Sequence, residues 1–164
     1  MKLLRWSGEP WTKILLLSSI VIAASYGLYI LSEWLIGYLP SSWGVSIEDA
    51  VTKGLEHLFV VGQWYEPLVM IFALAVVPAF SEELFFRGYL QRRLIQFSPR
   101  RHWTIIVMVS MLFSLVHFSV VGFLSRFLLA LWLGYAYYRR GNIVVPMVIH
   151  CLNNLVTLAF SMKF

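Results

Sequence analysis

The sequence predicts an all-α fold, a polytopic transmembrane helical bundle of about five spanning helices, and three observations predict it. Of its 164 residues 60% are hydrophobic and 13% are charged, against roughly a quarter charged in an ordinary soluble domain. The apolar residues gather in runs that approach the roughly 20 residues a helix needs to cross the hydrocarbon core. The charges stand in short clusters between those runs, a placement that sets membrane topology. The net charge of +5 therefore does not describe a phosphate-binding groove, and no nucleic-acid partner is expected. Cys151 is the only cysteine, so neither an intrachain disulfide nor a thiolate metal cage can form.

The first apolar run, Ile14 to Leu39, follows Lys2, Arg5 and Lys13. Its length and the lack of a clear A-x-A site make it a retained anchor instead of a cleaved signal peptide. From Pro40 to Glu66 no run is long enough to span, and a surface loop with a short amphipathic helix around Ile47 to Val61 is expected. Residues 1–66 are thus an anchor helix plus an extracytoplasmic loop, and residues 67–164 form the helical core. The second run, Pro67 to Phe86, is expected to continue past Arg87 to Phe97 as one long tilted helix, with Arg92 and Arg93 snorkelling. The third and fourth runs, Trp103 to Val121 and Val121 to Tyr138, abut around Ser119, which predicts a tight helical hairpin. A fifth runs from Ile143 to Met162.

Arg92, Arg93, Arg100 and Arg101 separate the second and third runs, and Arg139 and Arg140 separate the fourth and fifth. With the basic amino terminus, all three clusters fall on one side, while Glu48, Asp49, Glu56 and Glu66 fall on the other. The positive-inside rule then expects a multi-pass protein of the cell membrane with a cytoplasmic amino terminus.

The informative residues break the apolar pattern. A charge near the middle of a membrane helix costs at least about 2.5 kcal/mol, so it needs a partner or a purpose. Glu83 and Arg87 are four apart with the acid first, so they share a face and can pair. Glu82 is rotated from them by about 100° and has no such partner in its own helix. Alone, this cluster also fits a hydrated helix end with Arg87 snorkelling. His117 follows Phe113 by four in the third run, and Asn154 follows His150 by four in the fifth, with Asn153 beside it. Three helices that each aim acid, imidazole or amide groups inward are harder to explain as packing. Arg126 in the fourth run either snorkels outward or meets a substrate carboxylate.

Glu82-Glu83-x-x-x-Arg87, Phe113-x-x-x-His117 and His150-x-x-x-Asn154, in that order on successive helices, resemble the three motifs of the CAAX-protease and bacteriocin-processing (CPBP, or Abi) family of intramembrane proteases. The lead-in from Gly141-Asn142 to Pro146 is also similar to that family. The resemblance covers Pro67 to Ser161 and implies that the core is catalytic. It implies an endopeptidase that cuts a membrane-embedded or lipid-tethered peptide, such as a prenylated protein or a bacteriocin precursor. Carried over by position, Glu82 and His117 hold and deprotonate the attacking water. His150 and Asn154 stabilise the oxyanion, and Glu83 with Arg87 is the supporting ion pair. The family is often labelled metalloprotease, although the mechanism drawn for its prenyl-trimming members needs only a glutamate-activated water.

The chemistry agrees with that assignment on its own terms. Amide hydrolysis requires a nucleophile, a base, and donors where charge develops on the carbonyl oxygen. A carboxylate shielded from bulk water is a stronger base than an exposed one. His150 and Asn154 share a helix face and can point at one oxygen. Glu82, His117 and His150 also resemble an open zinc site, so a divalent metal stays in play, although no H-E-x-x-H occurs. Two rival functions remain beside the protease: a proton-coupled transport component, since buried Glu and His groups also relay protons, and a non-catalytic peptide-binding or immunity protein.

Overall fold

The structure is a computed structural model and describes residues 11–38 and 64–161. The amphipathic helix expected over Ile47 to Val61, and Lys2 and Arg5, lie outside the described residues. Among the described residues the chain is all-α, with no strand. Five helices follow in order: α1 (Trp11–Ile36), α2 (Glu66–Phe97), α3 (His102–Leu115), α4 (Val120–Arg140) and α5 (Val144–Ser161), with a 3-10 turn at Pro99–Arg101 ahead of α3.

Three of these, α1, α2 and α4, are long and apolar enough to cross a membrane. The expectation of about five spans is met by five helices, of which α3 and α5 are shorter. With 14 residues α3 extends only about 21 Å at 1.5 Å per residue, because the third apolar run gives its last residues to the hairpin turn. In the most apolar stretches of α1 and α2 only 17% of residues are buried inside the protein. Leu16, Trp34 and Phe72 stand outward on them. Contiguous apolar surface on this scale requires an apolar surrounding, so the chain is an integral membrane protein.

The long second helix is observed as expected, unbroken from Glu66 to Phe97. It contains two wide π turns, Phe72–Val76 and Leu84–Gln91. The first lies just ahead of Pro78, which lacks the N–H that would bond the carbonyl four residues back. Widening re-registers the ladder there, so the Val77 N–H donates to the Phe72 carbonyl five residues back. The second wide turn brings residues four apart closer to vertical register. Around it the inner face of α2 carries Glu83, just ahead of the turn, and Arg87 and Gln91 within it, all with 0% exposure.

The described residues divide into two compact units. One comprises residues 64–105 with 133–161. In it α5 lies antiparallel against α2: Ile143 meets Gly88, His150 meets the glutamates, and Asn154 meets Ala75. Ala75 and Ala79, both fully buried, are small enough to let the two backbones close up. The end of α4 joins through the Gln91 Nε2–H, which donates to the Gly134 carbonyl at 2.9 Å. Gly141 ends α4 at φ 63°, a left-handed conformation that glycine adopts without strain. The Asn142 side chain accepts the Val144 N–H at 2.9 Å, and Pro146 sits in the first turn of α5, where an N–H is not needed.

The other unit comprises residues 11–38 with 106–132. Its interior is apolar side chains interleaved with serines: Ile14, Ser18 and Ser25 on α1, then Ile106, Val109, Ser110, Phe113 and Ser114 at helical spacing on α3. The Ser114 hydroxyl donates to the Phe123 carbonyl at 2.6 Å, and the Trp132 indole N–H donates to Ser18 Oγ at 3.0 Å. The predicted hairpin is present. After Leu115 the chain turns through Phe118 at φ 49°, and Ser119 caps α4 by accepting the Gly122 N–H at 3.1 Å.

Candidate active site

Glu82 and Glu83 sit midway along α2, and neighbouring positions on a helix point about 100° apart, so they meet different surroundings. Glu83 is fully buried and its Oε1 receives two donors: Arg87 Nη1–H at 2.6 Å and His150 Nδ1 at 2.9 Å. The expected Glu83–Arg87 pair is thus present, and it does more than balance charge, because it also holds the imidazole of α5. A carboxylate beside a guanidinium only accepts, so His150 carries its proton on Nδ1. Its Nε2 is left facing Glu82, 3.9 Å from Oε2. That distance exceeds a direct hydrogen bond and is short enough for a shared water or substrate atom. Glu82 keeps 27% of its side chain exposed against 0% for Glu83, while its Oε2, the oxygen that faces His150, is buried.

One turn beyond His150, Asn154 faces the same side of α5, and its Nδ2–H reaches the Ala75 carbonyl at 3.4 Å, a long bond that a better acceptor would displace. Four groups expected together, Glu82, Glu83, Arg87 and His150, therefore converge, with Asn154 a turn away. Cys151, adjacent to His150, is half-buried. Its rotation around the helix suits packing.

His117 belongs to the other unit and differs from expectation in its local setting. It does not lie inside a helix: α3 stops at Leu115, and His117 stands in the turn that follows. The spacing to Phe113 survives because that turn continues the last helical coil. His117 Nδ1 lies 2.8 Å from the Phe113 carbonyl and the two rings pack at 5.1 Å. A carbonyl only accepts, so Nδ1 carries the proton and Nε2 the lone pair. Arg126, in the same unit, folds back along α4 onto Gly122, where a Cβ would collide with its guanidinium. It reaches toward the helix end, the direction that snorkelling takes.

The sequence reading missed Gln91. It continues the Glu83–Arg87 stripe by one more step of four, is fully buried, and bonds the α4 backbone. The four-residue step was a usable signal, masked by the arginines that follow. Among the described residues no three His, Cys, Asp or Glu groups gather as metal ligands, whereas a catalytic zinc site uses three.

These residues lie inside a recognisable family region. The model of the type II CAAX prenyl endopeptidase Rce1-like family matches residues 64–156. That match spans more than half of the chain, and the chain belongs to this family of CAAX-type intramembrane endopeptidases. No curated protein and no solved structure matches the chain.

Proposed function

We propose that the protein hydrolyses a peptide bond of a lipid-tethered, prenylated substrate at the membrane, and that residues 67–164 form its catalytic core. The observation that carries this reading is His150, which is anchored through Nδ1 to buried Glu83 and turned through Nε2 toward part-exposed Glu82. In the proposed reaction Glu82 takes a proton from a water, assisted by the Nε2 lone pair of His117. The resulting hydroxide adds to the scissile carbonyl. His150 and Asn154 then donate to the oxyanion, and Glu82 returns the proton to the leaving amine. Neutral His150 has no proton on Nε2, so it donates there only as imidazolium. In that state, with Glu82 holding the proton from the water, Glu83, Arg87 and His150 sum to one positive charge, which the oxyanion brings to zero, the favourable total in a low-dielectric interior. The three basic clusters on one side of the spans support a cytoplasmic amino terminus.

The test is cleavage of a farnesylated peptide by the full chain in proteoliposomes. The substitution Glu82→Gln keeps size and removes the base. Cleavage is expected to fall by about 10²- to 10⁴-fold with helicity and monodispersity unchanged. Activity that withstands a strong chelator identifies water activated by side chains alone. Wild-type protein that conducts protons or binds the peptide, and never cuts it, overturns the reading in favour of a transporter or a binder.

A further inference from the structure

The unit formed by residues 64–105 and 133–161 ends in a ring of arginines that hydrolysis does not use. Arg92 and Arg93 project from the last turns of α2, and Arg100 and Arg101 occupy the 3-10 turn before α3. Arg139 and Arg140 close α4. Aromatic stacks hold these segments together: His102 lies on Tyr138 with ring centroids 4.5 Å apart, and Trp103 on Tyr135 at 5.3 Å. Arg139 hangs 6.0 Å over the Tyr135 ring. Six cationic side chains thus share one end of one unit.

No Asp or Glu occurs from Leu84 to Phe164, so this stretch supplies no carboxylate of its own to the ring. Within the unit Glu66 starts α2 and stands at its opposite end. Interspersed with the arginines, Tyr89, Phe97 and Trp103 are exposed at 60%, 83% and 54%. A guanidinium fork matches phosphate oxygens two at a time, and aromatic rings prefer the depth where headgroups meet acyl chains. Arginines interspersed with exposed aromatic rings fit an amphiphile, whereas an acidic peptide would match only the charge.

We propose that this end of the unit is a binding site for the phosphate headgroups of anionic phospholipids. The site is separate from the catalytic groups and its occupancy is read without substrate. Full-length protein is placed in nanodiscs of phosphatidylcholine with graded phosphatidylglycerol, and retained lipid is counted by native mass spectrometry after mild extraction. Wild type is expected to retain phosphatidylglycerol in preference to phosphatidylcholine, and less of it as salt rises. Retention should weaken about fivefold for each arginine removed, corresponding to about 1 kcal/mol, along the pairs R92Q/R93Q and R100Q/R101Q. The four-fold Arg→Lys variant at those positions should hold most of it. Equal retention of the two lipids by wild type overturns the proposal, as does Gln-pair protein that keeps wild-type preference. Binding of a poly-glutamate peptide that phosphatidylglycerol does not displace also overturns it, in favour of an acidic protein partner.

Discussion

Both units bury polar side chains, but of different kinds. In residues 11–38 with 106–132 the interior hydroxyls of Ser114, Ser119 and Ser125 each bond a backbone group within nine residues, and Ser18 receives one indole N–H. These are small, neutral and cheap to satisfy, the usual means of bringing membrane helices together. In residues 64–105 with 133–161 the interior holds Glu83, Arg87, Gln91 and His150, groups whose desolvation costs several kcal/mol each. Packing alone would be better served by leucine or serine. The difference teaches that buried polarity marks function where charge, and not merely hydrogen-bonding capacity, has been taken out of water.

The largest effect expected from breaking this contrast is at Arg87. Replacing it by leucine leaves Glu83 buried with only the His150 imidazole on its Oε1. Loss of one member of a buried pair costs about 3–5 kcal/mol, which should appear as a large drop in the midpoint of thermal or SDS unfolding in lipid. The double variant Glu83→Leu/Arg87→Leu should recover much of that stability and none of the cleavage, since His150 then has no anchor. A single Arg87→Leu protein as stable as wild type would show that the pair is not the electrostatic centre of the unit.

Next in size is Asn154→Ala, which should separate chemistry from stability. Its one described bond, to the Ala75 carbonyl, is long, so unfolding should shift by less than about 1 kcal/mol. An oxyanion donor is worth about 2.7–4 kcal/mol of barrier, which lowers kcat by about 10²- to 10³-fold with KM little changed. A loss confined to KM would move Asn154 from the oxyanion to ground-state binding.

Much of the architecture is legible in the sequence because membrane helices declare themselves one at a time. Apolar length predicts α1, α2 and α4, and the abutting third and fourth runs predict the hairpin at Phe118 and Ser119. The Glu83–Arg87 pair is legible from the four-residue rule, since both partners ride on one helix. The contact from His150 to Glu83 is not, because it crosses 67 positions and depends on how the wide turn at Leu84–Gln91 orients the inner face of α2. Gln91 was legible by the same four-residue step from Arg87, but Arg92 and Arg93 beside it made that stretch read as a charged helix end. The end of α3 at Leu115 was hidden by a left-handed Phe118 in an unbroken apolar run.

The smallest predicted effects sharpen the contrast from the serine-lined side. Ser114→Ala and Ser18→Ala each remove one hydrogen bond between membrane helices, worth about 0.6 kcal/mol on average. Each should lower the unfolding midpoint slightly and leave kcat within about twofold. His117→Ala, three residues from Ser114, should by contrast abolish most cleavage at similar stability, because in the proposed mechanism its Nε2 lone pair works on the water. If the two substitutions prove equally mild, His117 is another local hydrogen-bonding group on the Phe113 carbonyl, and the base assignment rests on Glu82 and α5 alone. If Ser114→Ala costs as much activity as His117→Ala, the turn after α3 must be held to a tolerance that only its hydroxyl bond to Phe123 supplies, and neutral buried polarity in this protein is then functional as well.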